Sequence, residues 1–123
     1  MLEEKGMGGP MTPRILLAVT VIGLLGASAV RAETQLTDIA LNAVGGLNGL
    51  ALHCKYVDVS AEIRKEAAST LPKARQYGEA FETATNNAFL DAKRTGKACP
   101  DKASFKKEVA SAIGLMKGAF GKP

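Results

Sequence analysis

Three kinds of residue in this chain could do chemistry: carboxylates at helical spacing, a histidine beside a cysteine, and a second, distant cysteine. Glu62 with Glu66 and Glu79 with Glu82 stand four and three residues apart. Two carboxylates cleave a glycosidic bond when they face one another across a cleft. At these spacings each pair instead shares one face of a single helix. Arg64 and Lys65 lie inside the first pair, the local charge compensation of a solvated surface. His53 adjoins Cys54 and could lower its thiol pKa, giving a nucleophile. Neighbours in a helix point to different faces, so a partly buried structural histidine is the expectation. One His and two Cys are too few for an ordinary Cys/His zinc site, so no metal is expected. Neither a phosphate-cradling glycine loop nor a G-x-S-x-G elbow occurs, and no cofactor is expected. These patterns predict a non-enzymatic protein.

No nucleic-acid partner is expected. The chain has no Trp, two Tyr and four Phe, which leaves no aromatic platform for base stacking. Its net charge of +4 comes from interspersed signs, which a solvated surface explains.

The amino terminus reads as an address. No residue from Ile15 to Ala29 is charged, Arg14 precedes this run, and Ala29-Val30-Arg31-Ala32 follows it. Basic start, short apolar stretch and small residues before Glu33 make the three parts of a secretory signal. A spanning helix needs about 20 apolar residues, and this run is shorter and contains Gly23 and Gly26. Residues 1–32 are therefore expected to be a signal peptide and 33–123 one domain, with no membrane span after cleavage. Retention of the segment as an anchor is the alternative. Glu3 and Glu4 sit awkwardly in a basic start, so Met11 competes with Met1 as the first residue.

Export to an oxidising compartment turns an isolated pair of cysteines into one disulfide, Cys54–Cys99. Redox pairs use the closer Cys-x-x-Cys spacing, which is absent. Closing a loop of this length contributes about 4 kcal/mol in the chain-entropy picture. That is a large share of the roughly 5–15 kcal/mol that holds a small domain.

The elements that would position these residues are helices. No stretch alternates as a strand does, and Ala and Lys abound. From about Thr37 to Tyr56, Leu36, Ile39, Ala40, Ala43, Leu47, Leu50 and Cys54 recur at steps of three and four, predicting one buried face. Gly45, Gly46 and Gly49 within it mark close helix packing or a break. A second helix is expected from a cap at Asp58 or Ser60, through Ile63 and Ala67, to Leu71 before Pro72. A third should run from about Pro72 to Arg94 and stop at Gly96. Its buried stripe would be Tyr77, Phe81, Ala84, Ala88 and Ala92, with Phe89 beside it and Asn86 and Asn87 facing solvent. The last begins after Cys99-Pro100, capped by Asp101 or Ser104, and buries Phe105, Val109, Ala112, Ile113, Met116 and Phe120. The fold class is all-α: a small bundle of three to four helices stapled by one disulfide.

The run Ala98-Cys99-Pro100-Asp101-Lys102-Ala103-Ser104-Phe105-Lys106-Lys107 resembles the C-terminal part of the HdeA-type periplasmic acid-stress chaperones. In that family too, a second Cys precedes a lysine-rich turn and a Phe that opens the last helix; Cys54 takes the place of its first Cys. The resemblance implies a periplasmic homodimer that separates at low pH and exposes apolar surface to unfolded client proteins. Phe81, Phe89, Phe105 and Met116 are then the candidate client-binding residues. Acid chemistry fits: the mature chain has ten carboxylates to neutralise and thirteen basic residues left to repel one another. Two further readings compete: a periplasmic inhibitor or immunity-type binding protein, and an envelope structural or virulence-associated protein. Export is checked first. Intact mass of the protein from the periplasmic fraction should correspond to Glu33–Pro123, whereas a full-length species in the membrane fraction would mean a retained anchor.

Overall fold

A computed structural model describes Ala32 and residues 34–121; the expected signal peptide, Ala32 aside, lies outside the described residues. The chain divides into two units, Met1–Thr34 and Gln35–Pro123. Four helices build the second: α1 (34–53), α2 (Val57–Thr70), α3 (Arg75–Thr95) and α4 (Lys102–Phe120). There is no strand among the described residues. The expected all-α class therefore holds, with four helices.

Local chemistry sets most of the boundaries. Leu71 is extended and Pro72 follows, so α2 stops there. Gly96 takes the left-handed conformation, with φ of 64°, and its N–H closes the last turn of α3 onto Ala92 and Lys93. The carboxylate of Asp101 accepts the backbone N–H of Ser104 at 2.9 Å and starts α4. The expected cap on α2 is corrected. Tyr56 occupies the capping position without a side-chain bond, while Asp58 and Ser60 lie inside the helix. Both of those side chains are engaged elsewhere, Asp58 with Lys102 and Ser60 with Asn48.

Contacts fix the directions. Gly45 meets Ala84 and Gly49 meets Ala88, so α1 and α3 run parallel. Asp58 pairs with Lys102 and Glu66 with Lys117, so α2 and α4 also run parallel. Arg64 binds Glu82 across the antiparallel α2 and α3. The result is up-down-up-down, the arrangement that short connections favour. Its core joins Leu41, Val44 and Ala51 of α1, Val59, Ile63 and Ala67 of α2, Phe81 of α3, and Phe105, Val109, Ile113 and Met116 of α4.

On α1 the expected buried face is corrected. Ala40, Leu41, Val44, Asn48 and Ala51 are buried, whereas Leu36 and Ile39 are each 62% exposed. Ala43 is also exposed, and Leu47 and Leu50 are half-buried. The inward face contains an asparagine, so its apolar count falls below that of the outward one. On α3, Phe81 and Ala92 are buried as expected, joined by Thr85; Tyr77, Ala84, Ala88 and Phe89 are half-buried, and Asn86 and Asn87 are exposed.

The helix passes through its three glycines unbroken, and two of them explain why. A Cβ on Gly45 would lie 2.6 Å from the Ala84 Cβ and 3.1 Å from the Phe81 carbonyl oxygen. One on Gly49 would lie 2.8 Å from both the Ala88 Cβ and the Phe89 nitrogen. Only hydrogen fits at either position. Around Gly46 nothing lies within 4 Å of such an atom. Gly46→Ala should therefore stabilise the fold by about 0.5–1 kcal/mol through helix propensity. Gly49→Ala should destabilise it by about 1–3 kcal/mol through overpacking. Urea denaturation followed by circular dichroism measures both, and a shared sign would contradict the packing described.

Candidate functional site

The most elaborate constellation gathers at one end of the bundle, where the α1–α2 turn meets the α3–α4 connection. The turn begins as α1 unwinds. Tyr56 N–H reaches back to Ala51 O at 2.8 Å and Lys55 N–H to Leu52 O at 3.2 Å, with Lys55 left-handed at φ 61°. This is the Schellman closure, with lysine where glycine is usual. It presents Cys54 to Cys99, and the two are disulfide-bonded with Cα atoms 5.7 Å apart. The expected pairing is thus observed, and it places the folded chain in an oxidising compartment.

Five further contacts tie the same junction. His53 donates from Nε2 to the Lys97 carbonyl at 2.9 Å. Tyr56 donates its hydroxyl to the Pro100 carbonyl at 2.7 Å. Lys102 pairs with Asp58 at 2.9 Å while lying 5.6 Å from the Tyr56 ring centroid. The Tyr56 ring packs on Phe105 at 5.8 Å. Both cysteine sulfurs are committed to the bond, and the imidazole is engaged with a backbone carbonyl rather than a thiol. The junction is mechanical in character.

The carboxylates behave as surface partners. Glu66 pairs with Lys117 at 2.7 Å, Glu79 with Arg75 at 3.1 Å, and Glu82 with Arg64 at 2.8 Å. Glu62 lies exposed on α2. Among the described residues no group of three His, Cys, Asp or Glu could hold a metal ion. No described helix is long and apolar enough to cross a membrane.

Of the candidate client-binding residues, Phe81, Phe105 and Met116 lie in the core and Phe89 is half-buried. The native fold therefore keeps the first three from solvent, and only loosened packing would offer them to a client. What does face solvent is an open groove of about 550 Å³ bounded by α1, α3 and α4. Ala43, Gly46, Leu47 and Leu50 of α1, Ala88 of α3 and Leu115 of α4 are among the residues that line it.

One buried arrangement has no counterpart among the sequence expectations. Asn48 is fully buried, accepting from the Ser60 hydroxyl at 2.7 Å and donating to Thr85 Oγ1 at 3.2 Å. Thr85 in turn donates to the Gly45 carbonyl at 3.2 Å. This chain joins α1, α2 and α3, and no buried side-chain polar atom among the described residues is left unpaired. The available signal was Asn48 standing in helical register with Leu41, Val44 and Ala51. Compared with known families, characterised proteins and solved structures, the chain matches none.

Electrostatics at the α2–α4 seam are directional. Hydrogen bonding from Lys102 lowers the Asp58 pKa from its ordinary 3.8, and hydrogen bonding from Lys117 lowers that of Glu66 from 4.5. The backbone N–H of Ser104 lowers Asp101 in the same way. A carboxylate whose folded pKa lies below its unfolded one stabilises the fold above the unfolded value. That stability disappears as pH falls through the folded value. Urea midpoints should therefore drop as pH falls from near the ordinary carboxylate range. In a Lys102→Met, Lys117→Met double variant the midpoint at pH 7 should be lower and the decline shallower. An equally steep decline would show that these pairs do not carry the acid response.

Proposed function

We propose that the chain is a small periplasmic, non-enzymatic acid-stress or envelope chaperone of the HdeA type, acting on unfolded client proteins. The observation that carries this reading is that two chemically unlike devices hold α4, one ionic and one covalent. Its ion pairs to α2 depend on the carboxylates of Asp58 and Glu66. Its covalent tether through Cys99 to Cys54 has no titrating group. At a pH of about 2–3 the carboxylates take up protons and the remaining cations repel one another. The α2–α4 seam then loosens, and Phe105 and Met116 leave cover together with Phe81 and Phe89. Meanwhile the disulfide limits the expansion and keeps the helices close enough to repack when pH recovers.

This reading predicts that the protein suppresses acid-induced aggregation of a model client at equimolar ratio and binds an apolar dye only in acid. The Cys54→Ser, Cys99→Ser double variant should suppress aggregation poorly. A chain that stays tightly folded in acid, binds no dye and leaves client aggregation unchanged would overturn the proposal. The inhibitor reading would then lead, since it needs a rigid surface at neutral pH.

A further inference from the structure

Packing fixes the residue types at two consecutive positions of α1, and their adjacency has a chemistry of its own. The Asn48 amide links Ser60 of α2 to Thr85 of α3. A Cβ on Gly49 would collide with the Thr85 carbonyl oxygen and lie 2.8 Å from the Ala88 Cβ. Side by side, the two make the one Asn-Gly dipeptide in the chain. In such a pair the backbone nitrogen of the second residue can attack the side-chain carbonyl of the first. Glycine, with no side chain, hinders that attack least.

The reaction is closed in its atoms. A bond forms between Gly49 N and Asn48 Cγ while the bond from Cγ to Nδ2 breaks. Nδ2 leaves as ammonia, carrying the proton that Gly49 N gives up, and a five-membered cyclic imide remains. Water then adds at one of the two imide carbonyls. Opening at Cγ leaves an aspartyl side chain. Opening at the backbone carbon leaves an iso-aspartyl linkage, in which the main chain runs through the former side chain. Nothing is oxidised or reduced.

The native fold withholds every requirement of the first step. An α-helix directs the Gly49 N–H at the carbonyl four residues back, that of Gly45. The helical ψ of about −42° keeps the nitrogen from closing a ring on Cγ. Asn48 is fully buried and both polar atoms of its amide are hydrogen-bonded, so turning it toward the nitrogen would break two buried bonds. Unfolding removes all of these restraints together.

We infer that Asn48 is a latent modification site, spontaneously deamidated only while the chain is unfolded, and that the modified chain cannot regain the fold. The product carboxylate has no N–H to offer Thr85, whose hydroxyl proton is already committed to the Gly45 carbonyl. It would also bury a charge among neutral groups. The iso-aspartyl form lengthens the backbone inside α1 and shifts its register. The inference does not depend on the chaperone reading, though it bears on it. Cyclisation needs the Gly49 nitrogen to lose its proton, which acid opposes, so a chain loosened in acid is exposed to the reaction only once pH recovers.

Peptide mapping by mass spectrometry tests it. The oxidised wild-type protein is held in mildly alkaline buffer at a series of urea concentrations, and amide-to-acid conversion is followed at each asparagine. About 10⁻³ to 10⁻⁶ of a marginally stable domain is unfolded at any moment, so conversion of Asn48 should be about a thousandfold or more slower without urea than in full denaturant. Across the transition its rate should follow the unfolded fraction measured by circular dichroism. In denaturant Asn48 should convert ahead of Asn42, Asn86 and Asn87, which are followed by Ala or Asn. When urea is diluted from an aged sample, the refolded fraction should retain the Asn48 amide and the unrecovered fraction should carry the acid. Three results would overturn the inference: a rate without urea comparable with that in denaturant, an unfolded Asn48 no faster than the other three, or converted chains that refold with an unchanged urea midpoint.

Discussion

The fold depends on how closely α1 and α3 approach. At Gly45 and Gly49 the α1 backbone comes so near Ala84 and Ala88 that no side chain can stand between them. That approach brings Asn48 within reach of Thr85, and Thr85 within reach of the Gly45 carbonyl. Ser60 completes the chain from α2. A buried network of this kind stabilises little beyond its own desolvation cost, but it penalises every register in which a member lacks its partner. Sliding α1 by one turn would leave Asn48 buried without Thr85. The network therefore selects the register, and the apolar core fills the space that the register defines.

Two seams of unlike chemistry result. The α1–α3 seam is built from small residues and neutral hydrogen bonds. The α2–α4 seam combines the apolar contacts of Ile63, Val109 and Met116 with two carboxylate–lysine pairs at its edge. Those pairs are partly exposed, and each is worth little alone in physiological salt. Their significance lies in placement, because both restrain the same helix and both respond to acid in the same direction. The junction around Cys54 and Cys99 ties the two seams together at one end only.

How much of this was legible depends on how local each signal is. Asp101, Pro72 and Gly96 act through their own backbone neighbourhood, and the sequence alone located the boundaries they set. The cysteine pair needed only the compartment implied by the amino terminus. The face of α1 was not legible, because its outward stripe of Leu36, Ile39, Leu47 and Leu50 is more apolar than the inward one. Asn48 on the inward face looks polar until Ser60 and Thr85, distant in sequence, are brought to it. Asp58 looked like a cap because its position suits one; its engagement with Lys102 depends on tertiary geometry. Lys55 in a left-handed conformation carries no compositional mark at all. The candidate site was the least legible part, since a surface that recognises protein is defined by shape rather than by residue types with fixed chemistry.

The bond between Cys54 and Cys99 also decides how the bundle carries load. Tension applied at the two ends of the chain enters through α1 and α4 and crosses directly between the cysteines. The segment they enclose, with α2 and α3 inside it, is bypassed. With a sequence separation of 45 residues, about 150 Å of contour length is hidden from the pulling axis. Only α1 and α4 can be drawn out, and α2 and α3 remain a slack hairpin tethered at one point. A chain threaded through a pore, or stretched between two attachments, would yield in its outer helices and keep its middle pair unstrained.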